Sequence, residues 1–334
     1  MAAGLRMTRY ARQMVLPELG PTGQARLAAA RVLVVGAGGL GVPELQYLTG
    51  AGVGRITLVD GDRVETTNLH RQPLYRMDQV GRPKAEAATE ALAALNPEVT
   101  VTPVVGWLDP ANAPALVAEC DIALDCADTF AASLTLSDAC RDAGRPMITA
   151  SALALSGYAT GCCGTAPSLR AIFPDLPDRA ASCATAGILG PVVGMIGALQ
   201  AQMALAVLLG LDPSPLGRLI SVDAACWRTG GFRFDGAPEP AAPLPFIAPG
   251  QITPEDLVID LRSEAPAPFA PGARHLAPEA MGGFDPPDDT TRIVLACRTG
   301  LRAHNSGQAL RARWPGPIAL LALPETDTDT GAPT

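Results

Sequence analysis

Glycines at 36, 38, 39 and 41 follow the β-branched run Arg31–Val35. A Gly-x-Gly-x-x-Gly turn between a strand and a helix can bring backbone N–H groups and the helix N-terminus against a phosphate. Asp60 ends a second strand, 19 residues beyond Gly41, where a carboxylate can accept hydrogen bonds from ribose hydroxyls. These residues alone say nucleotide, and a nicotinamide dinucleotide is the default occupant. The next stretch shifts the chemistry. Asn68, Arg71 and Gln72 in Asn-Leu-His-Arg-Gln, and Lys84 in Gly-Arg-Pro-Lys, place cations shortly past the ribose-binding acid. Asp125-Cys126-Ala127-Asp128 then places two carboxylates at the end of a later strand, where open α/β sheets bind ligands. A reaction at the α-phosphate of ATP needs such a set: cations on the triphosphate and a carboxylate holding Mg2+. A dehydrogenase has little use for it.

A second constellation lies near the C-terminus. Cys297-Arg298-Thr299-Gly300-Leu301-Arg302 follows a strand at 293–296 and opens a helix. Successive loop N–H groups, the helix N-terminus and two arginines there form an anion nest. The pattern predicts a lowered thiol pKa at Cys297 and a site that stabilises a persulfide.

The elements that must hold these residues follow from periodicity. Strand, glycine turn, helix and strand occupy 31–60, and helices at 84–95, 110–119 and 131–143 alternate with strands at 99–105, 122–125 and 146–150. Such alternation predicts an α/β fold, a Rossmann-like, doubly wound and mostly parallel sheet over residues 1–235. Residues 235–250 hold five prolines and read as a semi-rigid linker over 236–250. A smaller α/β unit at 251–324 follows, and 325–334 reads as a disordered tail.

Composition narrows the function. Net charge is −8 and the pI near 5.0, which disfavours nucleic acid and anionic membrane as partners. Eight cysteines without a secretory signal read as free thiols of a reducing cytoplasm; Cys120, Cys126, Cys140 and Cys226 read as core thiols. No charge occurs between Arg179 and Asp212. That stretch is apolar enough for a membrane span, but Pro191, Gln200, Gln202 and its glycines favour a core or subunit-interface helix. The chain has 24 arginines and one lysine, Lys84, and the two cations are not interchangeable at a phosphate.

Arg9-Tyr10-x-Arg12-Gln13, the Gly-x-Gly-Gly-x-Gly turn, Asp60, Asn-Leu-x-Arg-Gln, Gly-x-Pro-Lys and Asp-Cys-x-Asp together resemble the ThiF/MoeB/HesA family over residues 9–235. These are relatives of ubiquitin-activating enzymes. The resemblance implies ATP-dependent adenylation of the C-terminal Gly-Gly carboxylate of a ubiquitin-like sulfur carrier of molybdopterin-synthase or thiamine type. It implies that Gly36, Gly38, Gly39 and Gly41 lie at the phosphates, Asp60 at the ribose, and Asn68, Arg71, Gln72 and Lys84 around the triphosphate. Asp128 would hold Mg2+, and Arg12 would reach the γ-phosphate from the partner of a homodimer. Cys183 falls where the family's conjugating cysteine lies; a thiolate attacking the acyl-adenylate and an inert buried thiol both remain open there. The C-terminal unit, with Val258–Arg262, residues 271–275 and the six-residue Cys297 loop, resembles a short rhodanese. Asp260 and His275 are its structural landmarks, and it would carry sulfur from a donor such as a cysteine desulfurase or serve only for docking.

Three departures from the family stand out. Pro167-Ser168-Leu169-Arg170-Ala171 occupies the place of the first zinc-binding Cys-x-x-Cys pair and no second pair follows Phe234, so no structural zinc is expected. Thr129 replaces the usual Asn after Asp128. Residues 166–182 form a short, proline-rich crossover loop. Two other classes are carried forward: a noncatalytic carrier-binding protein, and a nicotinamide- or flavin-dependent oxidoreductase.

Overall fold

The run Arg31–Val35 is strand β1 in the computed structural model, which describes residues 9–177, 186–262, 268–270 and 272–323. Its side chains alternate, Val32 and Val34 entering one core and Leu33 and Val35 the other, as a strand buried on both faces requires. Helices α1 (Ala11–Met14) and α2 (Gly20–Ala29) precede it. After it come α3 (Gly41–Ala51), β2 (Arg55–Asp60), α4 (Lys84–Leu95), β3 (Thr100–Val105), α5 (Ala113–Ala118) and β4 (Ile122–Asp125). Then follow α6 (Phe130–Asp142), β5 (Pro146–Leu153), β6 (Ser156–Cys163), α7 (Leu169–Ile172), α8 (Gly190–Leu209), β7 (Arg218–Asp223) and β8 (Arg228–Arg233). Among the described residues they form an eight-stranded sheet of order β3-β2-β1-β4-β5-β6-β7-β8. Pairing is parallel from β3 to β5 and antiparallel from β5 to β8.

This is the doubly wound, mostly parallel sheet expected from the alternation, with an antiparallel extension that the expectation lacked. The strand order reverses between β1 and β4, which opens a crevice at their C-terminal ends. Helix α8 is long and apolar enough to cross a membrane, but half of it is buried. It packs on α3 and across β5 and β6, as a core helix.

The second unit contains β9 (Asp256–Asp260), β10 (Arg274–His275), β11 (Arg292–Cys297), α9 (Leu301–Arg311) and β12 (Ile318–Ala322). Among the described residues its sheet runs β10-β9-β11-β12, parallel throughout. Burial would raise the Asp260 carboxyl, but the Arg262 guanidinium at 2.9 Å holds it below the usual range. His275 is exposed, with its ring against the Arg262 carbonyl.

The proline-rich stretch differs from the expected spacer. Leu244, Phe246 and Ala248 are buried, and Phe246 pairs beside Leu320 of β12, with hydrogen bonds of 2.8 Å from Ile247 N to Leu320 O and from Leu320 N to Pro245 O. One apolar cluster runs from Leu134 and Leu136 of α6 through Leu244 and Phe246 to Leu295, Cys297 and Ala303. Alternating prolines and apolar side chains here bury their apolar members, a long-range outcome that composition does not encode. The 325–334 tail lies outside the described residues.

Ser168, in the stretch that stands where the resemblance would put the first zinc-binding pair, is wholly buried. Its N–H and its hydroxyl donate to the two carboxylate oxygens of Glu239, each at 2.6 Å. Arg170 beside it binds Asp138 through two 2.8 Å hydrogen bonds and donates to Leu244 O at 3.1 Å. Protein–protein hydrogen bonds thus tie this segment to the one after Phe234. Glu239→Gln removes one acceptor of the pair and is expected to lower stability by about 1–2 kcal/mol in urea titration, while EDTA leaves the wild-type transition where it was. A transition moved by EDTA and restored by zinc would show that metal, and not this clasp, closes the segment.

Candidate nucleotide and thiol sites

The glycine turn fits its place only without side chains. Gly36 has φ +101, and a Cβ there would sit 2.5 Å from Cys126 O at the end of β4. A Cβ on Gly41 would strike the Gly36 carbonyl, and one on Gly39 would lie 2.7 Å from Val193 of α8. The turn is pinned from two sides. Asp60 accepts from Ala37 N at 2.7 Å and from Asp62 N at 2.8 Å, and Tyr75 Oη donates to Ala37 O at 2.8 Å.

The residues expected around the triphosphate come together here. Gln72 is buried, with Nε2 3.7 Å from a Cβ position on Gly38. The Arg71 stem lies 3.7 Å from that on Gly39, and Arg71 Nη1 donates to Thr67 O at 3.0 Å. Asn68 is buried with Oδ1 unpartnered, as is Gln72 Oε1. Buried orphan acceptors beside a glycine turn call for a hydroxyl donor or a cation there, while the amide NH2 groups of the same side chains can donate to phosphate oxygens. Lys84, also buried, reaches Asp62 at 2.7 Å. Asp128 reaches solvent, but desolvation by the surrounding chain raises its carboxyl, the charge of Asp62 raises it further, and Lys84 opposes both; the three therefore share one electrostatic neighbourhood. Burial also lifts Asp60, against the Lys84 charge and the Ala37 N–H.

Arg12 does not join this group within one chain. It is exposed on α1, whose Gln13 donates to Ala51 O at the opposite end of α3 from Gly41, a helix of about 16 Å at 1.5 Å per residue. Asp62 and Tyr75 were missed from sequence; each follows a recognised residue by two or three places, at Asp60-Gly-Asp62 and Gln72-Pro-Leu-Tyr75. Cys183 lies outside the described residues.

The thiols required two corrections. Backbone N–H groups of Thr299, Gly300, Arg302 and Ala303 do surround the Cys297 sulfur, the last at 3.4 Å. The nest exists, but Cys297 is 1% exposed. Burial outweighs the N–H groups and pushes the thiol above its ordinary range, opposite to the lowering expected. Cys226 is no core thiol: it is exposed at the β7–β8 turn and donates to Asp223 at 2.9 Å. Cys120, Cys126 and Cys140 are buried, as expected.

A profile of the ThiF family matches residues 10–236. The chain belongs to the ThiF family. The adenylyltransferase and sulfurtransferase MOCS3 of Bos taurus is 49% identical over 219 residues, which is 65% of this chain and 48% of that protein. The SAMP-activating enzyme E1 of Haloferax volcanii is 41% identical over 220 residues, 65% of this chain and 82% of that protein. The chain thus spans about half the length of the first relative. Among solved structures, E. coli MccB with MccA-N7isoASN superposes at a TM-score of 0.62 and 24% identity, covering 70% of this chain and 74% of that one. MccB with ATP gives 0.56 and 24%, covering 64% and 66%. These two likenesses concern the ThiF-family fold.

Beneath the ThiF-family glycine turn lies a group that sequence reasoning passed over. Glu44 on α3 is wholly buried; it accepts from Cys126 Sγ at 2.7 Å, and its Oε1 has no partner. Gln200 of α8 completes the group, donating to Asp125 O and Ile148 O. Burial, and then the nearby Asp125 charge, push the Glu44 carboxyl up from 4.5 to about 8 against the Cys126 hydrogen bond. A carboxyl raised in the folded state destabilises as pH rises above its unfolded value, and the loss saturates above the folded one. Glu44→Gln mimics the neutral acid. Its stability gain over wild type, read by urea titration, is expected to be about 3 kcal/mol larger at pH 8.5 than at pH 5.5; a gain independent of pH would place the Glu44 proton elsewhere.

Proposed function

We propose that the chain uses ATP to adenylate the C-terminal Gly-Gly carboxylate of a ubiquitin-like sulfur carrier, and that Cys297 then supplies sulfur toward a thiocarboxylate. The observation that carries this reading is the rim around the glycine turn, where Arg71, Gln72, Lys84, Asp62 and Asp128 gather. Hydride transfer would leave these charges idle. Relatives named as adenylyltransferases and sulfurtransferases, and as a SAMP-activating enzyme, support the same reading.

In the proposed reaction a carrier carboxylate oxygen attacks the α-phosphorus of ATP and pyrophosphate leaves. Arg71 and Lys84 offset charge on the triphosphate, Asn68 and Gln72 orient it, and the glycine turn offers N–H groups to the phosphates. Asp60 keeps lone pairs for ribose hydroxyls after binding two N–H groups. Asp128 and Asp62 are hard oxygen donors in one electrostatic neighbourhood, and either or both could hold Mg2+ together with substrate phosphates. When bound, Mg2+ would neutralise charge on the triphosphate. A terminal persulfide sulfur on Cys297 would next attack the acyl carbon, expelling AMP and leaving an acyl disulfide. A second thiolate, for which Cys183 is the candidate, would attack Cys297 Sγ, breaking its bond to the outer sulfur, forming a Cys183–Cys297 disulfide and releasing the thiocarboxylate.

A homodimer, with Arg12 entering from the partner, accounts for the distance of that residue from the site in its own chain. No place for structural zinc enters the reading, since the stretch Pro167–Ala171 that would hold the first pair carries no cysteine. A cysteine desulfurase would be the sulfur donor, in the reducing cytoplasm expected from the cysteine content and the lack of a secretory signal.

Carrier-dependent pyrophosphate–ATP exchange tests the first half. Exchange is expected with one sulfur carrier ending in Gly-Gly, falling about 100-fold or more in Asp128→Ala. A normal rate in that variant would remove Asp128 from its role, and ATP binding without exchange for every carrier would favour the noncatalytic reading.

A further inference from the structure

We propose that the first turn of α6 is a gate over the Cys297 site, so that the nucleotide-binding unit of the same chain seals the sulfur site until the seam between them opens. The gate rests on the sulfur-carrying reading of Cys297. Thr129 caps α6, its Oγ1 accepting from Ala132 N at 3.3 Å. Ser133 N bonds back to Thr129 O at 3.2 Å, as the first intrahelical bond. Ala131 N is one of the donors such a helix start leaves over, and it goes to Thr299 O of the Cys297 loop at 3.3 Å. Gly300, the next loop residue, fits against the same turn only because it lacks a side chain. A Cβ there would lie 2.8 Å from Ala131 Cβ and 2.7 Å from the Phe246 ring.

Three further features make this seam a closure. Cys297 belongs to the apolar cluster that also includes Ala131 and Leu134 of α6, and the thiol is 1% exposed while its loop residues Thr299 and Gly300 meet Ala131. Asn305 on α9 donates to Pro177 O at 3.0 Å, a second tie between the units. Farther along the seam a cavity of about 300 Å³ lies among Arg170, Asp175, His304 and Arg311. The seam is therefore unfilled at this point, although an apolar cluster bridges it elsewhere. A buried thiol above its ordinary range is a poor nucleophile and a poor acceptor of sulfur. Loading Cys297 from a donor and presenting it to an acyl group both require the loop to leave Ala131. The gate is also next to the nucleotide site, because Asp128 immediately precedes the cap of α6.

Alkylation of the intact chain with N-ethylmaleimide, followed cysteine by cysteine by mass spectrometry, tests the gate. In wild type, Cys226 labels rapidly and Cys297 at least 100-fold more slowly. Ala131→Glu keeps an acceptable residue in the first turn of a helix but cannot share space with Gly300. It is expected to speed Cys297 labelling at least tenfold while Cys120 and Cys140 stay protected. Asn305→Ala loosens the other tie and is expected to speed it about threefold. Labelling of Cys297 near the Cys226 rate in wild type overturns the gate. So does an unchanged Cys297 rate in both variants with the core cysteines protected. If Ala131→Glu exposes Cys120 and Cys140 as well, the fold has opened and Asn305→Ala alone decides. Labelling reads access without turnover, so its failure is distinct from an absence of pyrophosphate exchange.

Discussion

The approach of the glycine turn to the end of β4 is the constraint on which the rest of the structure depends. Gly36 leaves no room for a Cβ beneath Cys126 O, and Gly41 none beneath the Gly36 carbonyl. With the backbone that close, the turn lies at the crevice where the sheet order reverses; Gly36 N and Ala37 N are held by Val59 O and Asp60, and α3 begins directly behind at Gly41. Asp60 and Tyr75 then fix Ala37 by its two polar atoms. The residues that follow β2 are carried past the mouth of the crevice, and Asn68, Arg71 and Gln72 arrive at its edge because the chain must return there to start α4 at Lys84.

Burial decides the protonation chemistry more than local charge does. Cys297 has the N–H groups that favour a thiolate, and Asp128 has a lysine nearby, yet both are shifted toward their neutral forms by desolvation. The same force acts on Glu44, Cys126 and Asp125 under the turn. In such a medium the arrival or removal of one charge matters far more than at the surface. A triphosphate with its cation, or a shift of the second unit, changes the solvation of these groups and so changes what they can do.

What the sequence disclosed was whatever is encoded over short spans. The Gly36–Gly41 turn, Asp60, the Asn68–Gln72 run, Lys84 and Asp128 each sit at a fixed offset from a strand or helix end, and the parallel sheet follows from alternation. Where the outcome hangs on distant partners, local pattern was silent. Ser156–Cys163 carries glycines and small residues, so its pairing along β5 was not foreseen. Glu44 looks like an ordinary first-turn acid until Cys126 closes over it. Cys226 was misjudged on exposure because a hairpin turns it outward, and the Cys297 thiol on the direction of its shift because burial outweighs the loop N–H groups. Leu244 and Phe246 were hidden among prolines because their partners are distant.

The single lysine has a bearing on chemical self-protection. An acyl phosphate anhydride acylates any free amine that it meets, and relatives of ubiquitin-activating enzymes work with such electrophiles. Lys84 is 6% exposed at its side chain and held in an ion pair with Asp62, and the other 24 basic side chains are arginines. Guanidinium groups stay protonated and are not acylated at neutral pH. Under the proposed chemistry, the one lysine amine that could attack an activated carboxyl is thus buried and paired.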